Sequence, residues 1–122
     1  MKIIKTLLLF AIAGFMLCSC EYEWIEPEKQ QIPDTVSFSN DIMPIFNNGC
    51  NTNVCHGAGS TPPDLSEGNA YNALIGGAYV DTETPEASIL YTTMKSGSMK
   101  VYTNPGDEEI VLAWITQGAK NN

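Results

Sequence analysis

The sequence predicts a small all-α domain of three to four short helices, and three observations predict it. Apolar residues recur at i, i+3 and i+4 in successive segments. Glycine, proline and serine clusters end those segments. The last and clearest segment carries helix-start signals ahead of six consecutive apolar residues, which decides against a buried strand. The chain has 122 residues, enough for one domain at most.

The first 19 residues are read as a leader. Lys2 and Lys5 accompany an apolar run from Ile3 to Leu17, a charged region and a hydrophobic region of signal-peptide length. The run is short for a membrane span. It ends in Leu17-Cys18-Ser19-Cys20, which resembles the lipobox of bacterial lipoproteins. That resemblance implies lipidation of Cys20 as a new N-terminus in the bacterial cell envelope, periplasmic or outer-membrane. A plain secretory signal and a core helix are the alternatives. Residues 20–33 then form a lipidated cysteine and an acidic tether without helical or strand period. Residues 34–122 form the domain, small for a core of its own, so a large apolar cofactor would help it bury surface.

Charge narrows the partners. Removing residues 1–19 takes two of the six lysines and none of the fourteen acids, and the chain has no arginine. Four lysines against fourteen acids argue against nucleic acid, whose phosphates need cations. They also argue against electrostatic membrane binding. A protein partner would present a basic face, although acidic charge also serves solubility alone.

Within the domain, Asn40 or Asp41 can cap a first helix running toward Asn48. Pro44 is tolerable only in a first turn, which favours Asp41 as the cap. Ile42, Ile45 and Phe46 share one apolar face. Residues 57–70 read as loop. A short helix around 70–75 stops at Gly76-Gly77. Another starts near Pro85-Glu86, with Ile89, Leu90 and Met94 as apolar members, and ends at Ser96-Gly97-Ser98. For the last, Asn104 caps and Pro105 takes the first position. Asp107, Glu108 and Glu109 form a solvated acidic first turn favoured by the helix dipole. Ile110, Val111, Trp114 and Ile115 make the buried stripe, and Gly118 stops it.

The chemistry lies in Cys50-Asn51-Thr52-Asn53-Val54-Cys55-His56, where His56 is the only histidine. In c-type haem attachment two thiols join the porphyrin edge and the adjacent histidine supplies an axial nitrogen. The usual spacing has two residues between the cysteines; here there are four, as in less common haem c variants. A Cys50–Cys55 disulfide beside an incidental histidine is the competing reading. A zinc site is weaker, since structural zinc wants four ligands.

The order of the pieces resembles class I c-type cytochrome domains, particularly small monohaem lipoproteins. The resemblance covers residues 36–121. It rests on a helix carrying Phe46, on Cys50, Cys55, His56 and Gly57, on Pro63-Asp64-Leu65, on Ser88-Ile89-Leu90-Tyr91, and on Trp114-Ile115 followed by Gly118-Ala119. It implies the cytochrome c fold around one covalent haem c, with first and last helices crossing and Phe46 meeting Trp114. It further implies that the Pro63 carbonyl accepts a hydrogen bond from His56 and that Leu65 packs on the ring. It places Met99 as the sixth ligand, on a flexible loop between two helices. Met94 reads as core, with an open site, Met94 itself or Lys100 as alternatives to Met99. Met43 reads as core, on the wrong side. The function implied is electron transfer, not catalysis. An enzyme or gas binder with open iron, or a haem-free disulfide-stapled lipoprotein binding module, are the other readings.

Overall fold

The computed structural model describes Ile3 and residues 31–122. The leader other than Ile3, together with Cys20 and most of the tether, lies outside the described residues. Among those described there are four α-helices and no strand, so the all-α expectation holds. We number them α1 (Met43–Asn47), α2 (Ala70–Gly76), α3 (Ile89–Lys95) and α4 (Asp107–Thr116). No helix of the described residues is long and apolar enough to cross a membrane.

The first helix starts earlier than Asp41. A π-helical turn, Phe38–Ile42, runs directly into α1, and its cap is Ser37. The Ser37 hydroxyl accepts from Asn40 N–H at 3.2 Å, and the Asp41 carboxylate accepts from Ser37 N–H at 2.7 Å. Asp41 is therefore the returning half of a reciprocal cap. Pro44 has no N–H to give, and just ahead of it Met43 N–H reaches back to the Phe38 carbonyl across the wider turn. Ile42, Ile45 and Phe46 are buried as the spacing predicts, and Met43 is buried too.

The α4 start also differs. Asn104-Pro105-Gly106 forms a turn, and the helix begins at Asp107. Asp107 is not solvated: it is 4% exposed. Its carboxylate accepts from Asn104 N–H at 2.9 Å and Asn104 Nδ2 at 3.3 Å. The side chain predicted to cap is thus a donor to the residue predicted to face water. Only Glu108 and Glu109 remain accessible.

The stripe Ile110, Val111, Trp114 and Ile115 is buried, and Gly118 ends the helix at φ +93°. Gly118 N–H and Ala119 N–H return to the carbonyls of Ile115 and Trp114, each at 2.9 Å. The π-helical turn packs on α4. The ring that meets Trp114 there is Phe38, at 5.2 Å between centroids, and Phe38 also meets Phe46 at 6.5 Å. The expected Phe46–Trp114 meeting is therefore replaced by a chain through Phe38, because the helix begins one turn sooner. Tyr71 closes the cluster against Phe38 at 5.3 Å.

In α3 the buried members are Leu90, Tyr91 and Met94, while Ile89 is 50% exposed. Tyr91 buries its ring and keeps its hydroxyl at the edge of the core, where the exposed Lys95 Nζ donates to it at 2.6 Å. Ahead of α3, the 3₁₀ turn Pro85–Ala87 is stapled by buried Ser88, whose hydroxyl accepts from Asp81 N–H at 2.9 Å.

Two carboxylates, the part-buried Asp64 and the exposed Asp81, anchor turns and make the fold acid-sensitive. Ser66 hydroxyl and Ser66 N–H both donate to Asp64, then Asn69 Nδ2 adds a third bond, and these hold the Asp64 carboxyl below its ordinary range. The Thr84 hydroxyl, Thr84 N–H and Glu83 N–H do the same for Asp81. A carboxyl with a depressed folded value stabilises above its unfolded value, about 3.9, and that contribution fades as pH falls through the folded value. Thermal midpoints are therefore expected to drop below about pH 4. Asp64→Asn should flatten that acid limb relative to wild type; an identical limb would remove Asp64 from it.

Candidate functional site

The cysteine pair is built by a turn closing on itself. Cys50 N–H donates to the Phe46 carbonyl at 2.9 Å, continuing α1 by one bond. The four intervening residues then fold back. Cys55 N–H and Gly57 N–H both reach the Thr52 carbonyl, at 2.9 and 2.8 Å, and His56 N–H reaches the Cys50 carbonyl at 3.0 Å. Gly57 is required there: a Cβ would lie 2.8 Å from the Thr52 oxygen and 2.9 Å from that of Asn51. The longer spacing is thus accommodated as a compact loop, with Val54 at its exposed tip.

His56 is oriented from the opposite side. Thr61 N–H bonds the Cys55 carbonyl at 3.1 Å, and Leu65 N–H bonds the His56 carbonyl at 2.7 Å. This double pin sets the Thr61 carbonyl against the imidazole, where it accepts from Nδ1–H at 2.9 Å. The acceptor implied by the family resemblance was the Pro63 carbonyl. The structure assigns it to Thr61, because the residue 55–61 bond brings that peptide alongside the ring. With Nδ1 engaged, Nε2 is the ring nitrogen left for a metal.

Two cavities share Cys50, His56 and Met99. The first, about 180 Å³, is also lined by Phe46, Pro63, Leu65, Tyr79, Leu90 and Met94. The second, about 260 Å³, is also lined by Cys55, Thr61 and Tyr102. Every haem-site residue expected in the domain, Cys50, Cys55, His56, Met99, Pro63 and Leu65, therefore lines one of these two spaces. Leu65 is buried, as a wall residue must be. Met94 is buried in the core and also reaches the first cavity. Lys100 is exposed and lines neither. Cys20 lies outside the described residues.

Both thiols are free. Burial pushes the Cys50 thiol above its ordinary value, and the nearby Asp107 carboxylate and Cys55 add to this. Its Sγ meets the Ile45 carbonyl at 4.0 Å. Among the described residues no group of three or more His, Cys, Asp or Glu side chains gathers around one point.

The donor set decides what the cleft can hold. One imidazole nitrogen and one thioether sulfur are ligands that suit haem iron, and the walls are mainly apolar. Two thiols stand at the same space. These residues fit a covalently attached iron porphyrin.

Sequence reasoning missed three contributors. Thr61 acts through its backbone carbonyl, which carries no side-chain signal. Tyr79 follows Gly76-Gly77 with no periodicity to flag it, yet its carbonyl ties to Leu90 N–H at 3.0 Å and its side chain lines the cleft. Tyr102 sits in the 3₁₀ turn Lys100–Tyr102 that follows Met99.

No protein-family model, curated protein or solved structure matches this chain.

Proposed function

We propose that this chain is a monohaem c-type cytochrome, anchored in the bacterial cell envelope by lipid on Cys20, that carries single electrons between protein partners. The observation that carries the reading is the convergence of His56, Met99, Cys50 and Cys55 on two mainly apolar cavities that share the first three, with the imidazole already held through Nδ1. The all-α architecture, with the Phe38–Ile42 turn packed on α4, supports the class I cytochrome c fold.

The roles divide as follows. Cys50 and Cys55 provide the thioether sulfurs. His56 Nε2 is the proximal ligand, and the Thr61 carbonyl makes the imidazole a stronger donor. The Met99 sulfur is the distal ligand. Pro63, Leu65, Phe46 and Leu90 line the cleft and keep water from it. When bound, the haem supplies a one-electron iron couple, and His/Met ligation with burial raises its potential. With His56 and Met99 both holding the iron, no coordination position would remain open to a substrate, which favours a carrier over an enzyme. The excess of acids over lysines suits partners with a basic docking face.

The test is expression of the full chain in a host with haem c maturation, followed by intact mass and visible spectroscopy. A mass increased by one haem and a reduced spectrum of low-spin haem c are expected. A colourless protein with Cys50 joined to Cys55 would instead establish the disulfide-stapled binding module.

The distal assignment has its own check. Wild type should resist carbon monoxide in the reduced state, and Met99→Ala should bind it readily with haem still attached. Rapid binding by wild type would mean an open iron site. Resistance persisting in Met99→Ala would transfer the role to Met94.

A further inference from the structure

Asp107 is the only charged side chain buried among the described residues. Its hydrogen-bond donors are the neutral amides of Asn104, at 2.9 and 3.3 Å, so they hold the carboxylate without cancelling its charge. The carboxylate opens α4, where the helix dipole favours it. It lines a groove of about 660 Å³ together with Ile45, Asn48 and Ile110. The Ile45 carbonyl in turn lies 4.0 Å from Cys50 Sγ. The buried charge and the attachment sulfur thus belong to one corner of the fold, where α1 ends and α4 begins.

We infer that Asp107 is a positioning residue for the redox chemistry: its buried carboxylate holds down the reduction potential of the haem attached through Cys50. This inference rests on the haem assignment above. A fixed negative charge favours the oxidised iron, which carries one more positive charge, and a buried charge is screened less than an exposed one. It opposes the upward pull of a methionine ligand and an apolar cleft. The thiol reports the same field, since Asp107 contributes to raising Cys50 in the haem-free chain.

The experiment uses Asp107→Asn in the full chain. Asparagine has the same shape and can still accept from Asn104 N–H. After haem c maturation, redox titration should show the midpoint shifted upward, with an unaltered low-spin spectrum. Glu109→Gln, on an exposed residue of the same helix, should leave it in place. In the unmatured chain, iodoacetamide should modify Cys50 several-fold faster in Asp107→Asn than in wild type, read by peptide mass. An unchanged midpoint with haem attached, or an unchanged alkylation rate, overturns the inference. Asp107→Ser, which also starts helices well, repeats both measurements if the asparagine variant does not fold. A wild-type chain that takes no haem would overturn the proposed function instead, and the alkylation rate would still judge whether the field of Asp107 reaches Cys50.

Discussion

Replacing Cys50 and Cys55 together by alanine is expected to abolish covalent haem in a host that matures haem c. The product should lose its colour under denaturing electrophoresis and return to the mass of the bare polypeptide. Each single variant should retain a small fraction, since one thioether can still form. His56→Ala should be as severe, because His56 is the only histidine in the chain and no other imidazole can replace it. The effect should be chemical and not a collapse of the fold. Both cysteines and His56 are only part-buried, and the loop between them is held by backbone bonds: Gly57 N–H to Thr52, and His56 N–H to Cys50. Circular dichroism of the haem-free double variant should therefore match that of haem-free wild type. Haem retained in full by the double variant would end the attachment hypothesis.

Trp114→Ala is expected to destabilise the haem-free domain by about 3–5 kcal/mol, the usual cost of emptying a buried aromatic site. Trp114 is 0% exposed. Its ring packs at 5.2 Å from Phe38 and 6.4 Å from Tyr71. Its Nε1–H donates to the Lys120 carbonyl at 2.9 Å, which ties the segment after α4 back onto the helix. That segment is itself a clasp: the Asn122 carbonyl accepts from Ser39 N–H at 2.9 Å, and Asn122 Oδ1 accepts from Phe38 N–H at 3.0 Å. Loss of the indole thus loosens the α4 end and the π-helical turn together. Small domains have about 5–15 kcal/mol in all, so the variant should be largely unfolded at low urea. Val101→Ala, at a site 81% exposed, should change stability by less than about 0.5 kcal/mol. Equal urea midpoints for Trp114→Ala and wild type would show that the aromatic cluster does not hold the fold.

The places where sequence reasoning and structure part company share a cause. Apolar stripes were legible because burial imposes a period: Ile42, Ile45 and Phe46, then Ile110, Val111, Trp114 and Ile115, all lie inside. Helix starts were less so, because a polar side chain near a start has several backbone partners to choose from. Asp41 answers Ser37 where it was expected to cap, and Asp107 is buried against Asn104 where it was expected to face water. Local signals name the residues able to cap; packing of the first helix on α4 selects among them.

The sequence alone determined the helical class, most of the buried faces and the seven-residue stretch that holds both thiols and the imidazole, since each is written in spacing between neighbours along the chain. Tertiary structure alone decided that Thr61 orients the imidazole, that Phe38 packs against both Phe46 and Trp114, and that Met99 lines the same cavities as His56. Those are distances between segments far apart in the chain or between backbone groups. They are set by how helices of known faces settle against one another, a matter of shape that no local period records.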